Sequence, residues 1–146
     1  MTDRPVPARP TAAFVGASWL ALLLGGGAFV TGLVNASMGL AEKGFYAVLL
    51  MYGLFSAVSL QKSVRDRAED LPVSPIYFGM AWVSLGIVAV LFGAGLWNAT
   101  WSGEEKGLYG MAFALSLFAA VAVQKNVRDL SAAEGARDGA DTPLPF

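Results

Sequence analysis

Two nearly identical polar segments decide the fold of this chain: NASMGLAEKGFY at residues 35–46 and NATWSGEEKGLY at residues 98–109. Each segment separates two long apolar stretches that contain hardly any charged residue. The offset of 63 positions between them continues without gaps from residue 16 to residue 66. Trp, Asn, Gln and charged residues recur in the same register. The chain is therefore a tandem repeat.

The composition predicts a membrane protein. Of the 146 residues, 55% are hydrophobic and 14% are charged, and the mean hydropathy is +0.55, which is more apolar than an ordinary soluble domain. A helix needs roughly 20 apolar residues to cross the hydrocarbon of a bilayer. Four stretches meet this requirement, the second and fourth near its lower limit: residues 11–34, 45–60, 76–97 and 108–123. We predict an all-α, membrane-spanning four-helix bundle.

The positive charges predict the orientation. Eight of the ten Lys and Arg residues flank the chain ends or the middle loop, and two lie in the other two loops. Because cytoplasmic loops hold the excess of Lys and Arg, both termini are predicted to be cytoplasmic. Each repeat contains two crossings, so both repeats enter the membrane facing the same way and form parallel helical hairpins.

These spans set the predicted domain boundaries. The two-helix repeats occupy residues 11–68 and 76–130, joined by a cytoplasmic linker at residues 69–75. The tails, residues 1–10 and 131–146, contain prolines and small or charged residues. Such composition predicts disorder in the cytoplasm.

The segment GLWNATWSGEEKGLYGMAFALSLFAAVAVQKNVRD, residues 95–129, resembles the two-helix domain of the YiaA/YiaB family of bacterial inner membrane proteins. The first repeat is similar, with Met38 and Ala41 where the second has Trp101 and Glu104. The resemblance covers nearly everything from about residue 14 to residue 129. It implies duplicated hairpins in the bacterial inner membrane and implies no biochemical activity. Only the second outer loop keeps the full pattern.

The outer polar segments form one candidate site. An Asn where a helix stops can satisfy its last backbone groups, and a Glu at the start of the next helix suits the positive end of the helix dipole. These roles indicate a structural hairpin turn. A functional interpretation is an outward-facing polar site where carboxylate and ammonium groups converge, and contact with a partner is a third. The candidate residues are Asn35, Glu42, Lys43, Tyr46, Asn98, Glu105, Lys106 and Tyr109.

The inner segments QKSVRD and QKNVRD form a candidate cytoplasmic anchor or partner site. Cations suit a helix C-terminus, Asp can pair with the Lys four residues before it, and Gln is predicted to hydrogen-bond between helices. Docking of a cytoplasmic partner or of anionic lipid head groups is the alternative. The residues are Gln61, Lys62, Arg65, Asp66, Gln124, Lys125, Arg128 and Asp129.

Other residue types narrow the function. Gly79, Gly86 and Gly93 recur every seven positions and predict close helix packing. The sequence has no Cys and no His, which argues against disulfides, haem ligation and the usual zinc sites. We expect no metal or other cofactor, and the absence of a basic stripe argues against nucleic acid as a partner.

The predicted spans hold no ionisable acid or base apart from tyrosine, which argues against proton-coupled transport. We expect a non-enzymatic structural or interaction protein in contact with membrane lipids, either a homo-oligomer or an accessory subunit of a larger membrane complex. The alternative is an oligomeric channel or facilitator for a small solute; an enzyme or quinone-binding subunit is a third reading. A packed bundle places Ser56, Ser59 and Ser116 against neighbouring helices, whereas a channel places them on a tunnel.

Overall fold

The computed structural model describes residues 9–141, with side chains as far as residue 137. Within this range the chain forms four α-helices and no strand: α1 (Ala12–Asn35), α2 (Leu40–Ala68), α3 (Pro75–Asn98) and α4 (Gly103–Asp141). Each helix is long and apolar enough to cross a membrane. The all-α fold with four predicted spans is therefore confirmed. Residues 1–8 and 142–146, which belong to the predicted tails, lie outside the described residues.

Local sequence signals set several helix ends. Thr11 Oγ1 accepts a hydrogen bond from the backbone N–H of Phe14 at 3.3 Å and caps the start of α1. Helix α3 begins with Pro75, whose missing N–H costs nothing at the first position of a helix. Helix α2 ends before Asp70, which has a φ of 56°, a left-handed conformation that Asp tolerates better than most residues.

Helix α4 extends further than the sequence predicts. Residues 131–146 are expected to be a disordered tail, whereas α4 continues to Asp141. This part of the chain is rich in Ala and contains no proline before Pro143. Ala has the highest helix propensity, and adding residues to an existing helix avoids the cost of nucleation. Residues 131–141 are therefore helical, not disordered as predicted.

The helices pair between the repeats rather than within them. Helix α1 lies along α4, α2 lies along α3, α2 meets α4 in the centre, and α1 touches α2 only slightly. Gly32 of α1 contacts the ring of Tyr109 on α4, and the equivalent Gly95 of α3 contacts the ring of Tyr46 on α2. The first helix of each repeat therefore packs on the second helix of the other repeat.

Contacts at both ends of the central helices give their direction. At one end Trp101, just before α4, lies against Tyr46 near the start of α2. At the other end Glu69, just after α2, bonds to Arg128 near the end of the apolar part of α4. Helices α2 and α4 consequently run parallel. This confirms that the two repeats enter the membrane facing the same way.

Two glycines on these pairing faces leave no room for a side chain. A Cβ built on Gly25 would lie 2.9 Å from Ser116 Oγ and 3.1 Å from the carbonyl oxygen of Ala112. A Cβ built on Gly53 would lie 3.2 Å from a methyl carbon of Val88. Val88 and Gly53 are the repeat equivalents of Gly25 and Ser116. A glycine therefore lies at the contact in each helix pair, on α1 in the α1–α4 pair and on α2 in the α2–α3 pair.

The predicted packing residues Gly79, Gly86 and Gly93 do not pack within the chain. No atom outside their own helix segment would lie within 4 Å of a Cβ added to any of them. The buried residues of α3 are instead Ala81, Val88 and Phe92. Val88 is two residues, or roughly 200° of helical rotation, from Gly86. The glycine stripe therefore faces away from the bundle.

Substitution of Gly25 tests the close approach of α1 to α4. Gly25→Val should destabilise the chain by about 1–3 kcal/mol because the added carbons meet backbone atoms of α4, which cannot rotate away. Gly27→Val is the matched control, since nothing lies within 4 Å of a Cβ at Gly27. Unfolding of both variants in the same detergent gives the comparison. Equal stability of the two variants would contradict the helix pairing.

Candidate functional site

The outer polar segments lie at the end of the bundle formed by loops 36–39 and 99–102, which we call the loop end. The Nδ2 atoms of Asn35 and Asn98 each donate to a carbonyl four residues earlier at 2.8 Å, those of Thr31 and Ala94. Both Asn side chains therefore satisfy carbonyls in the last turn of their own helices. This geometry matches the structural interpretation of the hairpin turn.

Charged residues of these segments also satisfy backbone groups at the helix ends. The carboxylate of Glu42 accepts from the backbone N–H of Gly39 at 3.2 Å, and that of Glu105 accepts from Ser102 at 2.8 Å. Lys43 Nζ donates to the carbonyl of Val34 at 2.7 Å. In the second repeat, Lys106 Nζ donates to the carbonyl of Trp97 at 3.3 Å. The carboxylates serve the starts of α2 and α4, and the ammonium groups serve the ends of α1 and α3.

The two tyrosines of the candidate site turn into the bundle. Tyr46 and Tyr109 are both buried, and both lie against the indole of Trp101, with ring centroids 5.1 and 4.3 Å away. Tyr109 meets Phe29 edge to face at 5.6 Å, and Tyr46 meets Phe92 edge to face at 6.4 Å. The same aromatic contact thus occurs once from each repeat around the pseudo-two-fold axis.

Trp101 divides the candidate outer site into two separate cavities. One, of about 460 Å³, is lined by Asn35 of the first repeat with Glu105 and Tyr109 of the second. The other, of about 80 Å³, is lined by the equivalent set from opposite repeats, Asn98 with Glu42 and Tyr46. Neither cavity is lined by Lys43 or Lys106. Over the described residues, the carboxylate and ammonium groups therefore do not converge on either of these cavities.

Aromatic rings fill the axis of the bundle below Trp101. The rings of Phe92 and Phe113 stack with centroids 3.9 Å apart, and Phe29 packs against both at about 6 Å. Phe29 is fully buried. These residues separate the loop end from the small polar side chains deeper in the membrane.

Those small polar residues are not joined in a tunnel. Ser116 Oγ donates to the carbonyl of Ala112 at 2.7 Å and packs on Gly25. Ser56 and Ser59 border a cavity of only about 90 Å³ between α2 and α3. The contacts of Ser116 lie in the other helix pair, so over the described chain these serines face neighbouring helices, as a packed bundle predicts.

The inner polar segments lie at the opposite end of the bundle, which we call the terminal end because the linker and the start of α1 are there. Lys62 pairs with Asp66 at 2.8 Å, as predicted from their spacing, and the equivalent Lys125 pairs with Asp129 at 3.1 Å. Each Asp also contacts the Arg next to it, Arg65 at 3.3 Å and Arg128 at 3.1 Å. These pairs are partly exposed, so each contributes little to stability.

Two interactions between helices are absent from the sequence predictions. Glu69 Oε1 lies 3.0 Å from Arg128 Nη1 and joins the end of α2 to α4. Asn126 Nδ2 donates to Ser18 Oγ at 3.0 Å in a buried contact between α4 and α1. Both sites differ between the repeats, because the equivalents of Glu69 and Asn126 are Ala132 and Ser63. A comparison of the two repeats for identical residues therefore does not identify these two interactions.

The glutamines do not form the predicted bonds between helices. Oε1 of Gln61 and Oε1 of Gln124 are both buried, and neither has a hydrogen-bond partner among the described residues. The buried polar contact between helices is supplied two residues after Gln124, by Asn126. Asn126 has a shorter side chain and lies on the face of α4 that meets α1.

These features define a class of protein: an all-α, multi-pass membrane protein built from two parallel helical-hairpin repeats around a filled interior. The chain belongs to the yiaA/B two helix domain family, which matches residues 14–66 and 77–129, once in each repeat. It is similar to the inner membrane protein YiaA of Escherichia coli strain K12, with 53% identity over 118 residues, 80% of this chain and 81% of that protein. No solved structure matches the chain.

The Asp66 carboxylate gives the terminal end a dependence on pH. The hydrogen bond from Lys62 holds the pKa of Asp66 below its ordinary value of 3.8. As the pH falls, Asp66 therefore takes up a proton in the unfolded chain before it does so in the folded chain. Its contribution to the stability of the folded chain is present above about pH 4 and is lost as the pH falls through the lower folded pKa. Thermal unfolding of wild type and Asp66→Asn should differ at neutral pH and converge in acid. A difference that is independent of pH would contradict this assignment.

Proposed function

We propose that this chain is a non-enzymatic structural or interaction protein of the bacterial inner membrane, acting as a homo-oligomer or as an accessory subunit of a larger membrane complex. The observation that carries the proposal is the filled axis. Phe29, Phe92, Phe113 and Trp101 occupy the space in which a bundle of four helices would hold a substrate. The charged groups lie at the two ends, where they serve helix termini and ion pairs.

The filled axis also opposes the channel alternative for a single copy. A solute would have to pass the stacked rings of Phe92 and Phe113, which are 3.9 Å apart and leave no room between them. A conducting path would therefore need to lie between copies of the chain. Its walls would be the outer faces of the helices, which carry large apolar side chains such as Leu23, Val90 and Phe118.

The outward face of α3 supports association in the membrane. Helix pairing in lipid depends on close packing because lipid tails are as apolar as the side chains, and small residues allow that approach. Gly79, Gly86 and Gly93 leave open space on this face. Their equivalents on α1 are Gly16, Leu23 and Val30, so the stripe is specific to α3.

The orientation that we propose has both termini in the cytoplasm. Eight of the ten Lys and Arg residues lie in the terminal end or the adjoining tails, which is the distribution of cytoplasmic segments. The relative YiaA is an inner membrane protein. The loop end would then face the periplasm.

A pair of equivalent substitutions tests the association. Gly79→Leu should weaken co-purification of two differently tagged copies, or of an endogenous partner, by roughly tenfold in mild detergent, because the added side chain blocks close approach to α3. Gly16→Leu is the control at the equivalent position of α1, where an added Cβ also meets no atom of the described residues within 4 Å. A wild-type chain that is monomeric in native membranes and crosslinks to no other protein would overturn the proposal.

A further inference from the structure

A groove on the side of the bundle runs from the terminal end toward the middle of the membrane. Its volume is about 590 Å³, and it lies between α2, α3 and α4. Leu60, Leu85, Leu117 and Val121 are among the apolar residues that line it. Apart from Trp82, whose indole also lines it, the polar lining comes from Gln61 and Arg65, both on α2. The groove therefore combines a long apolar wall with a cation.

The depth of this cation matches the headgroup region of a bilayer. Leu60 is the last residue of the apolar stretch of α2, and Arg65 follows it by about 7.5 Å along the helix axis. The side chain of Arg65 is only 16% exposed. It thus lies at the boundary between the hydrocarbon and the polar layer, beside the apolar wall of the groove.

Arg65 has hydrogen-bonding capacity that the chain does not use. Its Nη2 donates to Asp66 at 3.3 Å, whereas Nε and Nη1 are buried and have no hydrogen-bond partner among the described residues. The nearby Gln61 Oε1 is likewise buried without a partner. These nitrogens are enclosed by the protein, so an acceptor reaches them only when the Arg65 side chain turns toward the groove that it lines. A guanidinium with unused N–H groups favours an acceptor with negative charge, above all a phosphate.

The two carboxylates near Arg65 are already engaged by other cations. Asp66 accepts from Lys62 at 2.8 Å, which is closer than its contact with Arg65. Glu69 lies 3.0 Å from Arg128 and 3.7 Å from Arg65, beyond hydrogen-bond distance. The charge of Arg65 is consequently less compensated than that of Arg128.

The repeat shows how this difference arises. Arg128 obtains its partner from Glu69, which follows α2. The residue equivalent to Glu69 in the second repeat is Ala132, so no carboxylate stands where Arg65 would find the corresponding partner. The two arginines are equivalent in the sequence, but Arg65 has two nitrogens without a partner among the described residues and Arg128 has one, and of the two only Arg65 lines this groove.

We infer that this groove binds one anionic phospholipid, whose phosphate accepts hydrogen bonds from Arg65 and whose acyl chain lies against Leu60, Leu85 and Leu117. The charge of Arg65 selects an anionic headgroup over a zwitterionic one, and the apolar wall selects a lipid over a free phosphate ion. The site does not depend on self-association of the chain, so the two proposals can fail separately.

Native mass spectrometry of the full chain in neutral detergent tests the site, with phosphatidylglycerol and phosphatidylcholine offered together. The wild type should retain phosphatidylglycerol with roughly tenfold preference, and Arg65→Gln should lose that preference, because charge-assisted hydrogen bonds to the phosphate are removed. Lys125→Gln is the matched control, since it removes a cation at the same end that is 53% exposed and paired with Asp129 rather than with a carboxylate near Arg65. It should keep the preference.

A second pair of variants tests the groove without changing its charge. Ala57→Phe fills the groove, in which Ala57 is a lining residue, and should reduce retention of phosphatidylglycerol as strongly as Arg65→Gln does. Ala120→Phe places the same ring at the equivalent position of α4 and should leave retention unchanged. If a variant that should lose lipid fails to fold, quenching of Trp82 by phosphatidylglycerol with brominated acyl chains, measured against Trp82→Phe, reports occupancy in the wild type.

Three outcomes would overturn the inference. Equal retention of the two lipids by the wild type would show that Arg65 does not select charge. Displacement of phosphatidylglycerol by excess inorganic phosphate would show a site for the phosphate alone. Protection of the groove by a second copy of the chain, seen as loss of dimer in Ala57→Phe without any loss of lipid, would show that protein rather than lipid covers it.

Discussion

The close approach of α1 to α4 and of α2 to α3 is the constraint on which the rest of the structure depends. In lipid no hydrophobic force brings helices together, so packing must come from surfaces that fit closely. Gly25, Gly32, Gly53 and Gly95 provide such surfaces, since a Cβ added to any of them would lie about 3 Å from an atom of a neighbouring helix. Once these pairs have formed, the two central helices are fixed beside each other and the aromatic rings are brought to the axis.

Two differences between the repeats lie where the two copies face each other. Around a pseudo-two-fold axis, equivalent side chains approach the same space, and one large residue can fill it while two cannot. Trp101 occupies that space at the loop end, and its equivalent is Met38. Glu69 has a similar role at the terminal end, because it lies 3.0 Å from Arg128 and only 3.7 Å from Arg65. Neither end of the bundle is therefore symmetric about the pseudo-two-fold axis.

The sequence predicted the features that follow from composition and local chemistry. A hydropathy window or a short spacing in the sequence is enough to predict each of these features: the four spans, the parallel repeats, the Glu at the helix starts and the pairing of Lys62 with Asp66. The partners of the helices could not be predicted in the same way. A membrane helix is apolar on every side, so its pattern does not show which face turns inward. For this reason the stripe of Gly79, Gly86 and Gly93 predicted close packing without showing that it faces away from the bundle, and Asn126 was overlooked.

Cysteine crosslinking tests the exchange of helices between repeats most directly, since the natural chain contains no Cys. Ser18 and Asn126 bond at 3.0 Å across α1 and α4, so the thiols of the variant Ser18→Cys with Asn126→Cys should be joined in membranes by a short thiol-to-thiol crosslinker. Ser18→Cys with Ser63→Cys places the second thiol at the equivalent position of the helix that follows α1 in the same repeat, and this pair should not be joined. Crosslinking of the second pair but not of the first would show that each hairpin packs on itself, contrary to the structure.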